Sequence, residues 1–323
     1  MLEYIILFIC CISSKENACI LILCRNDDIK GISSSLHDFE DTFNKKYQYP
    51  YVFLNDVDFT DEFKTKIKEV ISTPAEFGKL TREQWGPPPW IDLPKAEEKM
   101  KDMESRGVIY GGSLSYRNMC RFFSGYFYKH ELVLKYDYYW RIEPDVNFYC
   151  EMNYDPFEFM RVKKKKYGFV ITLLEFMETI PTLWKTTLEF LEKHRNMLHN
   201  NKILSFILDE NKKFNGCHFW SNFEIASFEF FRSPIYEKYF EFLDQAGGFY
   251  YERWGDAPVH SIAASLFLEE GEVYFFEDIG YRHSLYRHCP TSPSRLPYCK
   301  CTPDDNVDNL NVSCLKDFRR ETL

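Results

Sequence analysis

The sequence predicts an α/β fold: a single domain built on a mixed, mainly parallel central sheet flanked by helices. Three observations carry that prediction. Short apolar runs end in polar clusters, and each is followed by a stretch with helical spacing. This rhythm repeats within the first 71 residues. The chain has 323 residues, 45% of them hydrophobic and 28% charged, which suits one large domain with a substantial core.

The run Ala18-Cys19-Ile20-Leu21-Ile22-Leu23-Cys24 opens into Arg25-Asn26-Asp27-Asp28, as a strand enters a polar loop. From Gly31 to Tyr47, Ile32, Leu36, Phe39 and Phe43 recur at spacings of three and four, which predicts a helix. Tyr51-Val52-Phe53-Leu54 with Asn55-Asp56 repeats the strand and loop, and Asp61 to Ile71 repeats the helix. Alternation of this kind predicts a largely parallel sheet. Ligands of such sheets gather beyond the carboxyl ends of the strands, where Arg25 and Asp56 lie. Trp85-Gly86-Pro87-Pro88-Pro89-Trp90 is a rigid loop, because proline excludes both helix interior and central strand.

Ser105 to Ser124 reads as a loop and a helix carrying Tyr116, Arg117, Cys120 and Arg121. Tyr138-Tyr139-Trp140-Arg141-Ile142 is a strand that stops at Glu143-Pro144-Asp145. Phe169 to Leu174 is another apolar strand, ending at Glu175. Trp184 to Leu191 is helical, and Asn222 to Phe231 is helix or strand. Gly247-Gly248 is a turn, and Val273 to Phe276 is a late strand leading to His283. The boundaries are therefore a leader at 1–14, a main body at 18–290 and, at 291–323, an irregular Cys- and Pro-rich wrap of the same domain.

The net charge of -9 argues against nucleic acid as a partner. The one dense basic run, Lys163 to Lys166, reads as a solvated loop or helix end. Cys10 and Cys11 lie in the leader, and nine further cysteines follow it. Their spacings give no zinc pattern, so disulfides in an oxidising compartment explain them, with at least one free thiol from the odd count. The apolar stretch Tyr4–Ile12 is shorter than the ~20 residues a membrane-spanning helix requires. It matches the core of a signal peptide or a short signal-anchor, although Glu3 is unfavourable and no basic residue precedes it. A membrane enters only through that possible anchor. Asn311-Val312-Ser313 is an N-glycosylation triplet.

Acidic residues at strand ends suit a hard divalent cation, and imidazole is acceptable to manganese. Glu143-Pro144-Asp145 offers two carboxylates on one side of an extended segment, stiffened by the proline. Glu175 is a third acid placed at a strand end. His283 is the candidate imidazole, and His260 competes with it.

Several longer runs point further. Tyr139-Trp140-Arg141-Ile142-Glu143-Pro144-Asp145-Val146 resembles the signature of fungal α-1,2-mannosyltransferases, the family-fifteen glycosyltransferases. So do Tyr167-Gly168-Phe169 through Trp184, the stretch from His218 to Ile225, and the stretch from Gly247 to Ser261. Asp278-Ile279-Gly280-Tyr281 completes a set spanning roughly residues 18 to 290. The resemblance implies a GT-A fold, GDP-mannose as donor, Mn2+ as cofactor, a mannose-terminated glycan or glycoprotein as acceptor, and retention at the anomeric carbon. It implies that Glu143 and Asp145 form the acid-x-acid motif facing metal and nucleotide, that His283 is a metal ligand, and that Glu175 and Asp145 stand at the metal. Glu224 matches the carboxylate proposed as nucleophile; it would either attack the anomeric carbon or only stabilise an oxocarbenium-like centre while the acceptor enters on the same face, and under both Glu224→Gln is expected to lose most activity and keep GDP binding. Tyr116 matches a tyrosine near the reacting centre. Arg25 and Asp56 could meet the guanine or ribose, or form a structural salt bridge. Arg121 or Arg117 could pair with phosphate. Trp254 and Asp256 lie in a Gly-rich stretch suited to the acceptor, packing being the alternative for Trp254. The implied location is the secretory lumen, Golgi or ER, with a type II membrane protein as the form in which the leader anchors. The rival readings are a carbohydrate-binding relative without turnover and a metal-independent glycoside hydrolase.

Overall fold

The computed structural model describes residues 15–195, 203–269 and 271–322. The leader expected at 1–14 lies outside the described residues. In chain order the strands are β1 (Ala18–Leu23), β2 (Tyr51–Asn55), β3 (Ala75–Lys79), β4 (Tyr138–Ile142), β5 (Val146–Phe148) and β6 (Tyr167–Phe169). They continue with β7 (Thr172–Leu174), β8 (Cys217–Phe219), β9 (Glu224–Ser227), β10 (Val273–Phe275), β11 (Tyr281–His283) and β12 (Tyr286–His288).

A seven-stranded sheet in the order β10-β6-β9-β4-β1-β2-β3 forms the centre. Strands β4, β1, β2 and β3 are mutually parallel, and β9 alone runs against its neighbours β4 and β6. This is the mixed, mainly parallel sheet that the sequence predicts. Both faces are covered, so the strands read as continuous apolar runs. In β1, Cys19 and Leu21 face one buried cluster, against the helices Leu114–Gly125, Pro234–Ala246 and Asp256–Phe267. Ala18, Ile20 and Ile22 face the other, against the helix Ile29–Phe39. Alternation of side chains along a strand splits the core this way.

Three elements differ from the sequence reading. The apolar stretch Phe169 to Leu174 is two strands, because the chain bends at Val170 and Ile171 and leaves the main sheet to pair β7 with β8. Both bend residues are buried and apolar, so no polar residue marks the break. Asn222 to Phe231 is strand and then helix, with the Ser227 hydroxyl capping Glu229 N–H. The stretch that reads as a Gly-rich loop at Asp256 is the start of a helix, Asp256–Phe267, buried on nearly every side. Such a helix has no polar face and therefore no visible period.

The C-terminal segment is held by Cys150–Cys299, Cys217–Cys314 and Cys289–Cys301. Cys19, Cys24 and Cys120 are free and buried. Among the described residues no helix is long and apolar enough to cross a membrane.

Candidate active site

The parallel strands β2, β1 and β4 end side by side, and each delivers a polar residue to the same edge of the sheet. Arg25 follows β1 and Asp56 follows β2. They line one cleft of about 660 Å3 with Trp85, Ser115 and Asn118. That volume is in the range of small-molecule sites, ~300–1,000 Å3. Arg25 donates to the Ser115 hydroxyl, on the helix Leu114–Gly125.

Beyond β4, Glu143-Pro144-Asp145 turns the chain into β5. The triplet is not extended as its spacing suggests. Asp145 has φ +61°, in the left-handed region that asparagine and aspartate tolerate better than most residues. Its carboxylate packs on Gly31, in the first turn of the helix Ile29–Phe39, where an added Cβ would lie 2.7 Å from Oδ1. Its N–H donates to the Gly31 carbonyl at 3.3 Å. Glu143 instead accepts from Arg141 Nε at 2.8 Å and from Nη2 of the same guanidinium. The two carboxylates are therefore held by different partners.

His283 reaches the same place from 138 residues away through strand pairing. On β11 it lies opposite Val146 on β5, and Val146 follows Asp145 directly. Its ring stacks on Trp220 at 5.2 Å, and Nδ1 lies 2.7 Å from Asn222 Nδ2. With that amide orientation Nδ1 accepts and the ring proton sits on Nε2. Turning the Asn222 amide over lets Nδ1–H donate to its oxygen and frees the Nε2 lone pair for a cation. Tyr281, whose hydroxyl lies 3.1 Å from Oδ1 and 3.2 Å from the Asn222 carbonyl, can serve either orientation.

Glu175, after β7, accepts from its neighbour Phe176 N–H at 2.8 Å and lies 3.7 Å from Arg253 Nη2. Tyr116 lies between the Tyr110 ring, stacked at 4.5 Å, and the Arg253 guanidinium, 5.2 Å from its centroid. Burial, the neighbouring Cys120, Asp256 and Glu175 push its hydroxyl well above the usual tyrosine range, against the opposing pull of Arg253. Glu175 and Tyr116 thus share the Arg253 corner, and no contact among the described residues joins Glu175 to Asp145 or His283. The only clusters of three ligand atoms among the described residues are built on disulfide cysteines. The ligand atoms of Glu143, Asp145 and His283 thus do not converge as a ready-made cluster, and what brings them to one place is the pairing of β11 with β5.

Several expectations are corrected. Arg121 is not available to phosphate. It is 1% exposed, and its five N–H donors go to both Asp244 oxygens, the Glu83 and Gly86 carbonyls and the Tyr126 hydroxyl. Arg117 is likewise buried on the Glu252, Tyr110 and Ser113 carbonyls. Trp254 is a core residue, 1% exposed, with Nε1 donating to Glu252 at 2.6 Å. His260 is no metal ligand, because its ring nitrogens lie 2.8 Å from Glu224 Oε2 and 2.8 Å from the Phe123 carbonyl. Glu224 does not face the cleft. It is 1% exposed, accepts from the Tyr139 and Tyr167 hydroxyls, and lies against His260 Nδ1.

The sequence reading missed the role of Arg141. Its guanidinium joins Glu143 to Asp256, reaching Asp256 Oδ2 at 2.6 Å, and lies 3.4 Å over the Phe123 ring. An arginine inside an aromatic strand, two residues before an acid, was the available signal. Arg253 was also missed, and nothing in its local sequence marks it.

The family model described as glycolipid 2-alpha-mannosyltransferase matches residues 9–322. The chain belongs to this family. It is therefore a glycosyltransferase. It is 48% identical over 307 residues to the O-glycoside alpha-1,2-mannosyltransferase omh1 of Schizosaccharomyces pombe, covering 95% of this chain and 79% of that one. It is 47% identical to the alpha-1,2 mannosyltransferase KTR1 of Saccharomyces cerevisiae, covering 94% and 78%. Among solved structures, core-mannan synthase A of Aspergillus fumigatus in its Mn/GDP form aligns with a TM-score of 0.91 at 39% identity, covering 96% of this chain and 86% of that one. The mannosyltransferase Ktr4p of S. cerevisiae in complex with GDP aligns with a TM-score of 0.91 at 42% identity, covering 96% and 82%. The fold is thus the GT-A architecture of these mannosyltransferases.

Proposed function

We propose that this protein transfers mannose from GDP-mannose to a mannose-bearing glycan on glycoproteins, forming an α-1,2 linkage with retention and using manganese. The observation that supports it most is the register placing His283 beside Glu143-Pro144-Asp145, at the edge where Arg25 and Asp56 line a nucleotide-sized cleft. Relatives solved with GDP, one of them with manganese, share this fold. Asp145, the free oxygen of Glu143 and His283 Nε2 would hold the ion, which when bound supplies a Lewis acid for the leaving diphosphate. Arg25 and Asp56 hold the nucleoside end. Tyr116 and Glu175, at the Arg253 corner, face the sugar. The disulfides support an oxidising compartment, and we place the protein in the secretory lumen, held there as a type II protein if its leader is kept.

Purified protein incubated with GDP-mannose, manganese and a panel of mannosides should release GDP and give an α-1,2-linked product. No transfer, together with no thermal stabilisation by GDP plus manganese, would overturn the proposal.

A further inference from the structure

We infer that Glu224 and His260 form one buried, proton-sharing pair that positions Arg141 and Asp256 behind Glu143, rather than supplying an attacking carboxylate. This rests on the transferase reading above.

Glu224 sits on β9 opposite Arg141 on β4. Its Oε1 accepts from the Tyr139 hydroxyl, and its Oε2 accepts from the Tyr167 hydroxyl and faces His260 Nδ1. A carboxylate has about four lone-pair sites. Three are occupied here, and the residue is 1% exposed. An attacking carboxylate needs a lone pair aimed at open space, and Glu224 has no such direction. On the other side of the pair, His260 Nε2 lies 2.8 Å from the Phe123 carbonyl. A carbonyl has no proton, so Nε2 must carry one. A second proton then lies between Nδ1 and Oε2, whichever of them owns it.

The pair is joined to Glu143. His260 lies one helical turn beyond Asp256 on the helix Asp256–Phe267. Asp256 Oδ2 accepts from Arg141 Nη1 at 2.6 Å and from the Ser221 hydroxyl at 2.7 Å. Arg141 also holds Glu143. From the surface loop inward the charges alternate: Glu143, Arg141, Asp256, His260, Glu224. The other groups facing His260 are the rings of Phe127, Phe231 and Tyr236, with Tyr139 and Tyr167 around its partner carboxylate. Arg141, opposite Glu224 in the strand register, is the further cation near the pair, and it is already hydrogen-bonded to Glu143 and Asp256. Glu224, His260, Arg141 and Asp256 are thus positioning residues. They hold Glu143, and with it the turn that follows β4, in one geometry.

The experiment combines variants with trapping. Glu224→Gln can donate one amide N–H to Nδ1 and the other to the Tyr167 hydroxyl, which then accepts instead of donating, while its oxygen still accepts from Tyr139 and His260 keeps Nε2–H on the Phe123 carbonyl. Its kcat should stay within about ten-fold of wild type, whereas loss of a catalytic nucleophile costs on the order of 10⁴-fold or more. His260→Leu strands the carboxylate, and kcat should fall by more than about 30-fold with the KM for GDP-mannose nearly unchanged. Adding Glu224→Gln to His260→Leu should recover part of that loss, a non-additivity that mere core filling does not produce. Wild-type protein treated with a 2-fluoro-mannosyl nucleotide donor should show no mannosyl adduct on the Glu224 peptide by mass spectrometry. That arm needs no variant to fold. An adduct on Glu224, or a folded Glu224→Gln protein with kcat more than 1,000-fold down, overturns the pair while leaving the transferase reading intact. Wild-type protein that transfers nothing overturns both.

Discussion

Gly31→Ala is a minimal perturbation that should separate metal use from stability. Gly31 lies in the first turn of the helix Ile29–Phe39, far from Asp145 in sequence, yet the space a Cβ would take there is occupied by that carboxylate. An alanine Cβ would come within 2.7 Å of Oδ1, 2.8 Å of Cγ and 2.8 Å of Oδ2. Ordinary contact begins at 3.4 Å, so the carboxylate must retreat by about 0.7 Å. Metal–oxygen distances tolerate changes of only ~0.2 Å, so a displaced Asp145 is a poor ligand. Disturbing a ligand's support costs about 10–100-fold in metal affinity, and the manganese concentration for half-maximal activity should rise by that factor. Stability should change little, because alanine gains roughly 0.5–1 kcal/mol over glycine in a helix, which offsets part of the clash. The assay is transfer from GDP-mannose across a manganese titration, beside thermal melts of both proteins. An unchanged manganese curve would refute the role given to Asp145. A collapsed melting temperature would show that the contact supports the fold instead.

Three further outcomes follow from the same geometry. Asn222→Leu removes the group that orients His283, and should weaken manganese activation about 10–100-fold while Asn222→Asp retains it; equal curves would dismiss the orienting role. Arg121→Met leaves Asp244 buried without its cation, at a cost of about 3–5 kcal/mol, and adding Asp244→Leu should recover most of it by thermal melting; additive losses would contradict the saturated pair. The inner charges also set a pH window. For His260, burial alone would lower the imidazole, but Glu224, its hydrogen bond, Asp256 and the Phe123 carbonyl together hold it above the ordinary value. Its stabilisation is complete below the unfolded value of ~6.5 and is lost as pH rises through the higher folded value. For Asp256, burial raises the carboxyl, yet Arg141 and His260 outweigh it and hold the group low. Its contribution is present above the unfolded value of ~3.9 and is lost as pH falls through the folded one. Melts of His260→Leu against wild type should converge as pH rises, and divergence there would reject the assignment.

The sheet was legible because each parallel strand is a short apolar run ending in a polar loop, and that pattern survives without knowledge of contacts. What failed were elements whose signal is uniform. The helix Asp256–Phe267 has no polar face to show a period, and the bend at Val170 and Ile171 is as apolar as the strands it separates. The arginines failed for a different reason. Arg25 and Arg121 both precede or follow plausible ligand loops, but Arg121 meets Asp244 from 123 positions away, and that pairing consumes the guanidinium. Local sequence carries no mark of a partner so distant.

The same test, what already occupies a group, orders the acids of the site. Glu224 has three donors on it and no opening. Asp256 has Arg141 and Ser221 on one oxygen. Glu143 has Arg141 on one oxygen and is partly exposed. Asp145 is exposed, leans on a glycine, and carries no side-chain hydrogen bond among the described residues. A cation must replace its hydration shell with oxygens not already held by stronger donors. Asp145 therefore meets it at the smallest cost, Glu143 through its unshared oxygen next, and the buried acids only by breaking ion pairs whose partners would be left charged in the core. On this ordering Asp145 and Glu143 are the acids open to a cation, while the carboxylate of Glu224 on β9 is already held by its buried partners.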